Sequence, residues 1–447
     1  MASHPQHYLG HRSCGTLKTV PNAIPTTDLA LDDIRLGEIE TWLRPDREGI
    51  FAKLRAERPI SFHEEPLPPE DSGFDFPQGP GFWAVTRYAD VMQVSRDPDT
   101  FHSAPTITIS DMPAEIAEWL GSMINMDAPK HTKLRLIVNR GFTPRQIARI
   151  EESVREQAKE IVDRIAEKGE CDFVTEIAAA LPLQIICDMM GIPRSDTQMI
   201  FEHTNAILGV GDPEYVQTFE DLMGAGMGLF QYGLALAEDR LQNPRDDITT
   251  TLMQAEVEDE NGRHKLTPSE LGSFFLLLVA AGNETTRNAI SHGMKALTDY
   301  PDQRKIWTDD FEAVSPTAVE EIVRWASPVI NFRRTVTKPV TVGGHDFQPG
   351  DKAVMFYNSA NRDERAFEDP FRFDVLRTPN EHVGFGAGGP HFCLGANLAR
   401  REIKMMFEEL LRRLPDIEIT GEPDMLQSGF IHGIKRMPCA WSTVVPA

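Results

Sequence analysis

Cys393 has the most specialised surroundings for chemistry in this sequence. It stands in GFGAGGPHFCLGANLARRE, Gly384 to Glu402, where a glycine-rich loop runs into the cysteine and then straight into a helix pattern. Two familiar uses of such a loop fit poorly. Gly384, Gly386 and Gly389 match the G-x-G-x-x-G spacing of a dinucleotide cradle, but that cradle needs a hydrophobic strand before it and a second strand after the helix. Here polar, proline-broken DVLRTPNEH comes before and the single helix GANLARREIKMMFEELLRRLPD comes after. A cysteine at a helix N-terminus also has its thiolate favoured by free amides and the dipole. A thiol protease, however, needs a separate histidine base and an oxyanion hole, and His391 is the one histidine close by.

The third use is a metal ligand. Glycines let the backbone approach a large flat group, and amides aimed at the sulfur tune its donor strength, as an axial haem thiolate requires. Taken alone, a free cysteine is more often a small buried apolar residue, so other segments must decide. In AAGNETTRN, Gly282 removes a side chain where the helix backbone could open beside a ligand, and Glu284 and Thr285 set an acid next to an alcohol. Such a pair can relay protons to a reacting oxygen without flooding the pocket; the plain alternative is threonines bonded back to their helix. In EEIVR, Glu321 and Arg324 share a helix face, a pattern that also occurs at Glu152/Arg155 and Glu409/Arg412, where surface pairs are expected. In DAPKHTKLRLIVNRGFTP, His131 and Arg135 stand four apart and again share a face.

Helices must carry most of these residues. TPRQIARIEESVREQAKEIVDRIAEKG, IAAALPLQIICDMMG, ELGSFFLLLVAAGNETTRNAISHGMKALTDYP and PTAVEEIVRWASP read as helices from their apolar spacing and end signals. Strand-like pieces are short: GFWAVTRY, RRTVTKPVTVGG, DKAVMFY and the C-terminal end. With no linker, repeat or composition break in 447 residues, the chain reads as a mainly α fold with small β-sheets: residues 1–27 a flexible N-terminal tail, 28–447 a single domain. A net charge of −23 speaks against nucleic acid. The apolar run Phe274–Ala281 is eight residues long, where a membrane span needs about twenty. The N-terminus lacks the apolar segment of a signal peptide, so a cytoplasmic location is expected. The five cysteines offer no CxxC pair, hence no zinc ribbon.

In their order, these segments resemble the cytochrome P450 family of haem-thiolate monooxygenases. The ligand loop matches through Gly389, His391, Cys393 and Gly395; the family's aromatic residue falls one position early, at Phe385, as if the loop were one residue longer. AAGNETT resembles the oxygen-activation motif and EEIVR the ExxR motif, while Asp127, Pro129, His131, Arg135 and Phe142–Pro144 follow the D-x-P-x-H-x-x-x-R…FTP pattern. The resemblance spans about Asp28 to Trp441. It implies heme b (iron protoporphyrin IX) with Cys393 as axial metal ligand. His131, Arg135, Arg334 and His391 would serve the haem propionates, with Phe385 and Gly395 beside the ring. Gly282, Glu284 and Thr285 would be catalytic, and Glu321, Arg324 and Arg372 a structural cluster behind the loop.

The implied reaction inserts one oxygen atom of O2 into a C–H bond of a hydrophobic substrate. Without a flavin or nicotinamide domain, electrons from NAD(P)H would come through external partners, a ferredoxin and ferredoxin reductase. Arg400, Arg401 and Lys404 are a candidate basic patch for that docking, against the plain reading of a solvated helix face. The pattern is most similar to actinobacterial members that hydroxylate methyl-branched lipids, isoprenoid chains or sterol side chains at a terminal carbon. Ile107, Phe274, Leu278, Ala281, Val329, Phe430 and Ile431 are the expected pocket residues. The alternatives are a peroxygenase, a biosynthetic oxidase of a terpene or polyketide, and, from another class, a haem-binding sensor or lipid carrier. The intact Glu284–Thr285 pair speaks for chemistry.

Overall fold

The structure is a computed structural model that describes residues 23–67, 72–73, 77–142, 144–259 and 262–446. Most of the expected tail, and with it Cys14, lies outside these residues. Its last residues are a correction: the Thr27 hydroxyl donates to Asp46 Oδ2 at 2.6 Å, so the folded part begins before residue 28.

The long helix read from the sequence runs from Pro268 to Asp299, 32 residues or about 48 Å. Its start follows from a capping box. Thr267 accepts from the Glu270 amide, and Glu270 Oε2 accepts from the Thr267 amide at 2.9 Å, with Pro268 in the first turn. Its first half is apolar and its middle is buried on nearly every side, polar residues included, because other helices surround it. Phe219–Gln242, Ala180–Met190, Thr197–Leu208, Phe311–Ala326 and Ala396–Arg413 all pack on it, and most of the main hydrophobic core lies between them.

A five-stranded sheet lies to one side, in the order Ile60–His63, Phe82–Val85, Lys352–Phe356, Asn331–Val336, Phe101–His102. Lys352–Phe356 runs parallel to Phe82–Val85 and antiparallel to Asn331–Val336. That middle strand is buried on both faces, which accounts for the unbroken apolar run Ala353–Phe356. Its one charge is neutralised in place: the Lys352 amine, 2 % exposed, binds Glu65 Oε1 and Asp111 Oδ2. A separate sheet of three short strands joins Glu418–Ile419, Pro438–Ala440 and Glu170–Asp172, with Cys439 directly opposite Cys171.

Candidate active site

The cysteine loop is shaped by glycines that no other residue would replace without strain. Gly386, Gly388 and Gly389 have φ of 96°, 84° and 82°, and a Cβ on Gly389 would collide with the Ser95 carbonyl. Within the loop the Cys393 amide donates to Phe385 O at 2.9 Å, closing it just before the helix Ala396–Arg413 begins. The Cys393 side chain is accessible although protein surrounds it densely, as expected of a residue that lines a cleft. Burial pushes its thiol up, while the amides of Gly395 and Ala396 and the charges of Arg135 and Arg400 pull it down. Phe385 packs beside the loop under the Arg400 guanidinium, 4.4 Å from its ring centre.

His131, Arg135, Arg334 and His391 converge on this loop. The two imidazoles lie 4.1 Å apart, His391 Nε2 bonds Ser103 Oγ at 3.0 Å, and Arg135 Nη2 donates to Phe392 O at 2.7 Å. Arg334 is buried and donates to its neighbour's carbonyl, Arg333 O, at 2.9 Å. Both Asp127 oxygens are occupied by the Ser103 and Ala104 amides. The group is therefore rich in positive charge and poor in acids. Burial, then Arg334, His131 and Arg135, push His391 down to about 2. Burial also lowers Arg334 and His131, and His131 Nε2 is buried with no partner among the described residues. A ligand bringing carboxylates would supply what these groups lack.

On the central helix, Thr285 donates to Ala281 O at 2.7 Å. Ala281 is exposed midway along a helix whose residues are mostly buried, and Leu278 and Thr285 are half-buried one turn to either side. This makes an apolar stripe that ends in a hydroxyl. Glu284 departs from the expected relay. Consecutive helix residues do not face each other, and Glu284 points away, pairing with Arg287 and accepting from Asn288 Nδ2 at 2.9 Å. Gly282 is also not an opening in the helix, which continues through it. Its missing side chain leaves room for Ile186, whose Cδ1 a Cβ there would strike.

Glu321 and Arg324 are fully buried and form a two-point pair at 2.7 and 2.8 Å. Arg324 also donates to Asn361 O and Pro370 O, and Asn361 Oδ1 accepts from the Val383 amide at the start of the cysteine loop. The cluster is closed by Arg377, whose Nε donates to Glu321 Oε2 at 3.1 Å. The expectation of Arg372 is thereby corrected: Arg372 contributes its carbonyl, which accepts from Arg324 and Arg377, because the chain turns back after it. The other two occurrences differ from the expected surface pairs: Glu409 is buried and pairs with a half-exposed Arg412, and Arg155 pairs with Glu408 instead of Glu152. The three cations of the candidate basic patch each have an acidic partner. Arg400 is paired with Glu320, Arg401 with Glu151 and Lys404 with Glu312.

Of the other expected pocket residues, Val329 and Phe430 are half-buried, Val329 bridges to Ile431, and Phe430 lies 5.8 Å from the Phe332 ring. Ile107, Phe274 and Ile431 are buried in packing. Behind the central helix sits a group that motif reading missed. Glu402 is 2 % exposed and accepts from Thr286, and its Oε1 has no partner among the described residues. Burial pushes its carboxyl up to about 8. Asn283, fully buried, has neither side-chain polar atom bonded among the described residues. The available signal was Glu402 falling in helical step with Leu398, Met405 and Met406, on the apolar face.

Cys393 stands just before a helix start, beside buried cationic side chains whose neighbouring acid, Asp127, is already occupied by amides, and such a setting suits a thiolate ligand to an acid-bearing prosthetic group. Residues 110–307 and 313–430 match the Cytochrome P450 family model, and the chain belongs to that family. It is 51% identical over 431 residues to the methyl-branched lipid omega-hydroxylase of Mycobacterium tuberculosis (strain ATCC 25618 / H37Rv), covering 95% of this chain and 99% of that one. It is 44% identical over 398 residues to the steroid C26-monooxygenase of Rhodococcus jostii (strain RHA1), covering 88% and 81%. Among solved structures, a Mycobacterium marinum cytochrome P450 in complex with pseudoionone superposes with a TM-score of 0.85 at 44% identity, over 92% of this chain and 99% of that one. The family's haem fits the residues present. Cys393 would offer the sulfur ligand, and His131 Nε2, without a partner among the described residues, and buried Arg334 would suit its carboxylates. No helix of the described residues is long and apolar enough to cross a membrane.

Proposed function

We propose that this monooxygenase hydroxylates the terminal carbon of a methyl-branched lipid, isoprenoid or sterol side chain, with electrons passed from NAD(P)H by a ferredoxin reductase and a ferredoxin in the cytoplasm. The observation that carries this reading is the stripe Leu278–Ala281–Thr285, apolar until it reaches one hydroxyl. The names of the relatives favour the same substrate class. Haem bound through Cys393 supplies the oxygen-activating chemistry. Cys393 holds the group and sets its electron richness, while His131, Arg135, Arg334 and His391 hold its carboxylates.

The protein's own task is orientation and proton supply. Primary C–H bonds are strong, so a chain end must be held where internal positions cannot reach, and the walls at Leu278, Ala281, Val329 and Phe430 do this. Thr285 Oγ1, which donates to Ala281 O at 2.7 Å, turns to donate toward the reacting oxygen and is recharged from water. Glu284 serves the same step after exchanging Arg287 for water, since its carboxylate is held away from Thr285. External electron donors are part of this proposal and rest on the likeness to the family. Arg400, Arg401 and Lys404, each beside an acid on the surface, remain a candidate docking patch only if a donor's acids displace Glu320, Glu151 and Glu312.

The test is a reduced-plus-carbon-monoxide difference spectrum, followed by titration of the ferric protein with a methyl-branched fatty acid and with a sterol. A strongly red-shifted Soret band in wild type and its loss in Cys393→Ser are expected. A low- to high-spin shift with either lipid, then a terminal alcohol as product with ferredoxin and reductase, would complete the assignment. Thr285→Ala should keep the band and divert reductant to hydrogen peroxide. Hydroxylation at internal carbons, or no spin shift with either lipid class, refutes the substrate reading.

A further inference from the structure

We propose that Cys171 and Cys439 form a reversible disulfide when the protein meets a hydroperoxide, stapling the C-terminal strand to the segment that leads into the helical core. The two residues are direct partners in the antiparallel pair Glu170–Asp172 with Pro438–Ala440. Their sulfurs are 3.6 Å apart, and Cys439 Sγ also contacts Cys171 O at 3.4 Å. Two residues to either side, the Phe173 amide donates to Met437 O at 2.8 Å and the Trp441 amide to Gly169 O at 2.9 Å. This period makes the cysteines a hydrogen-bonded pair, with Cα atoms about 5.5 Å apart, inside the range a disulfide spans. A backbone ladder on both flanks thus holds the sulfurs in contact while both are thiols.

Access differs between the two in the way such a reaction needs. Cys171 is half-buried and open to a small oxidant, whereas Cys439 is 1 % exposed. The Cys171 contact and burial push the Cys439 thiol well up, so it waits protonated beside its partner. Cys171 sulfur attacks the hydroperoxide, breaks its O–O bond and becomes a sulfenic acid, releasing an alcohol or, from hydrogen peroxide, water. Cys439 sulfur then attacks the sulfenic sulfur, and its proton leaves with the hydroxyl as water. Two thiols lose two electrons in all, and the hydroperoxide gains them. A thiol reductant reverses the step by exchange. Hydroperoxides arise where dioxygen and reductant meet without a substrate, which is the ordinary hazard of a monooxygenase. Cys187, buried with its thiol pushed up to about 11, has no such sulfur neighbour among the described residues.

The experiment treats the full-length, haem-loaded protein with graded hydrogen peroxide and reads intact mass and a non-reducing peptide map. Expected is a loss of about 2 Da, restored by reductant, and a linked pair of fragments whose sequence ions place the bond between Cys171 and Cys439, not Cys187. Cys187→Ser should keep the link, and Cys171→Ser should abolish it. The thermal midpoint of wild type should rise on oxidation, that of Cys171→Ser should not. Oxidation of Cys171 to sulfinic acid with no linked fragment, or a link from either residue to another cysteine, would overturn the proposal; both are read on wild type and do not depend on a variant folding.

Discussion

Replacing Glu402 by glutamine should stabilise the protein by an amount that grows with pH. In the unfolded chain the carboxyl ionises near 4.5, whereas in the folded protein burial between the central helix and its own helix keeps it protonated up to about 8. Below 4.5 both states hold the proton and the acid costs nothing. Between 4.5 and about 8 the unfolded chain gives up a proton that the folded protein keeps. Stability therefore falls by about 1.4 kcal/mol per pH unit, about 5 kcal/mol across the window, and stays lowered above it. Glutamine has nearly the same shape, keeps an oxygen for the Thr286 hydroxyl, and cannot ionise. For a chain this long, about 1 kcal/mol corresponds to about 1 °C in Tm. Thermal unfolding of wild type and Glu402→Gln at pH 5, 6.5 and 8, at fixed ionic strength, should show a gap close to zero at the first and about 4–5 °C at the last. A gap independent of pH, or a variant less stable at pH 8, would mean that Glu402 is ionised and paired in the folded state.

Three further outcomes follow from the packing. Arg324→Ala leaves Glu321 buried with one guanidinium, that of Arg377, in place of two and should cost about 3–5 kcal/mol in urea denaturation; Arg377→Ala should cost less, and Arg372→Ala within about 0.5 kcal/mol. His131→Ala and Arg334→Met should each speed haem transfer to apomyoglobin by about tenfold, the worth of one charge-assisted bond, while Arg334→Met makes the haem-free protein more stable. Gly282→Ala should cost about 1–3 kcal/mol by overpacking, and a second change, Ile186→Ala, should recover most of it; no recovery in that double-mutant cycle would mean that glycine is required for backbone opening.

Features that depend on neighbours along the chain are legible in the residues themselves. The central helix announces itself through Thr267, Pro268 and Glu270, and the loop glycines through their spacing to Cys393. Features set by distant chain segments are not. Glu284 and Thr285 are adjacent, which suggests cooperation, yet the helix turn separates them and Arg287 takes the acid. Arg372 and Arg377 are both arginines in one segment, and the path after Asp369 decides which guanidinium reaches Glu321. Arg400, Arg401 and Lys404 look free in sequence because their carboxylates, Glu320, Glu151 and Glu312, are at least 80 residues away. Glu402 hides among the many charges of an amphipathic helix, where only its phase sets it apart.

The convergence of Arg334, Arg135, His131 and His391 makes this chain unusually dependent on supply. Folding brings these groups together before anything in the polypeptide can answer their charge, so the last part of the stability comes from outside. Each tenfold excess of haem over its dissociation constant adds about 1.4 kcal/mol to the folded state. When haem is scarce, nascent chains wait half-finished, within reach of proteases that finished ones resist. The amount of folded enzyme should then follow the supply of haem as well as the rate of synthesis.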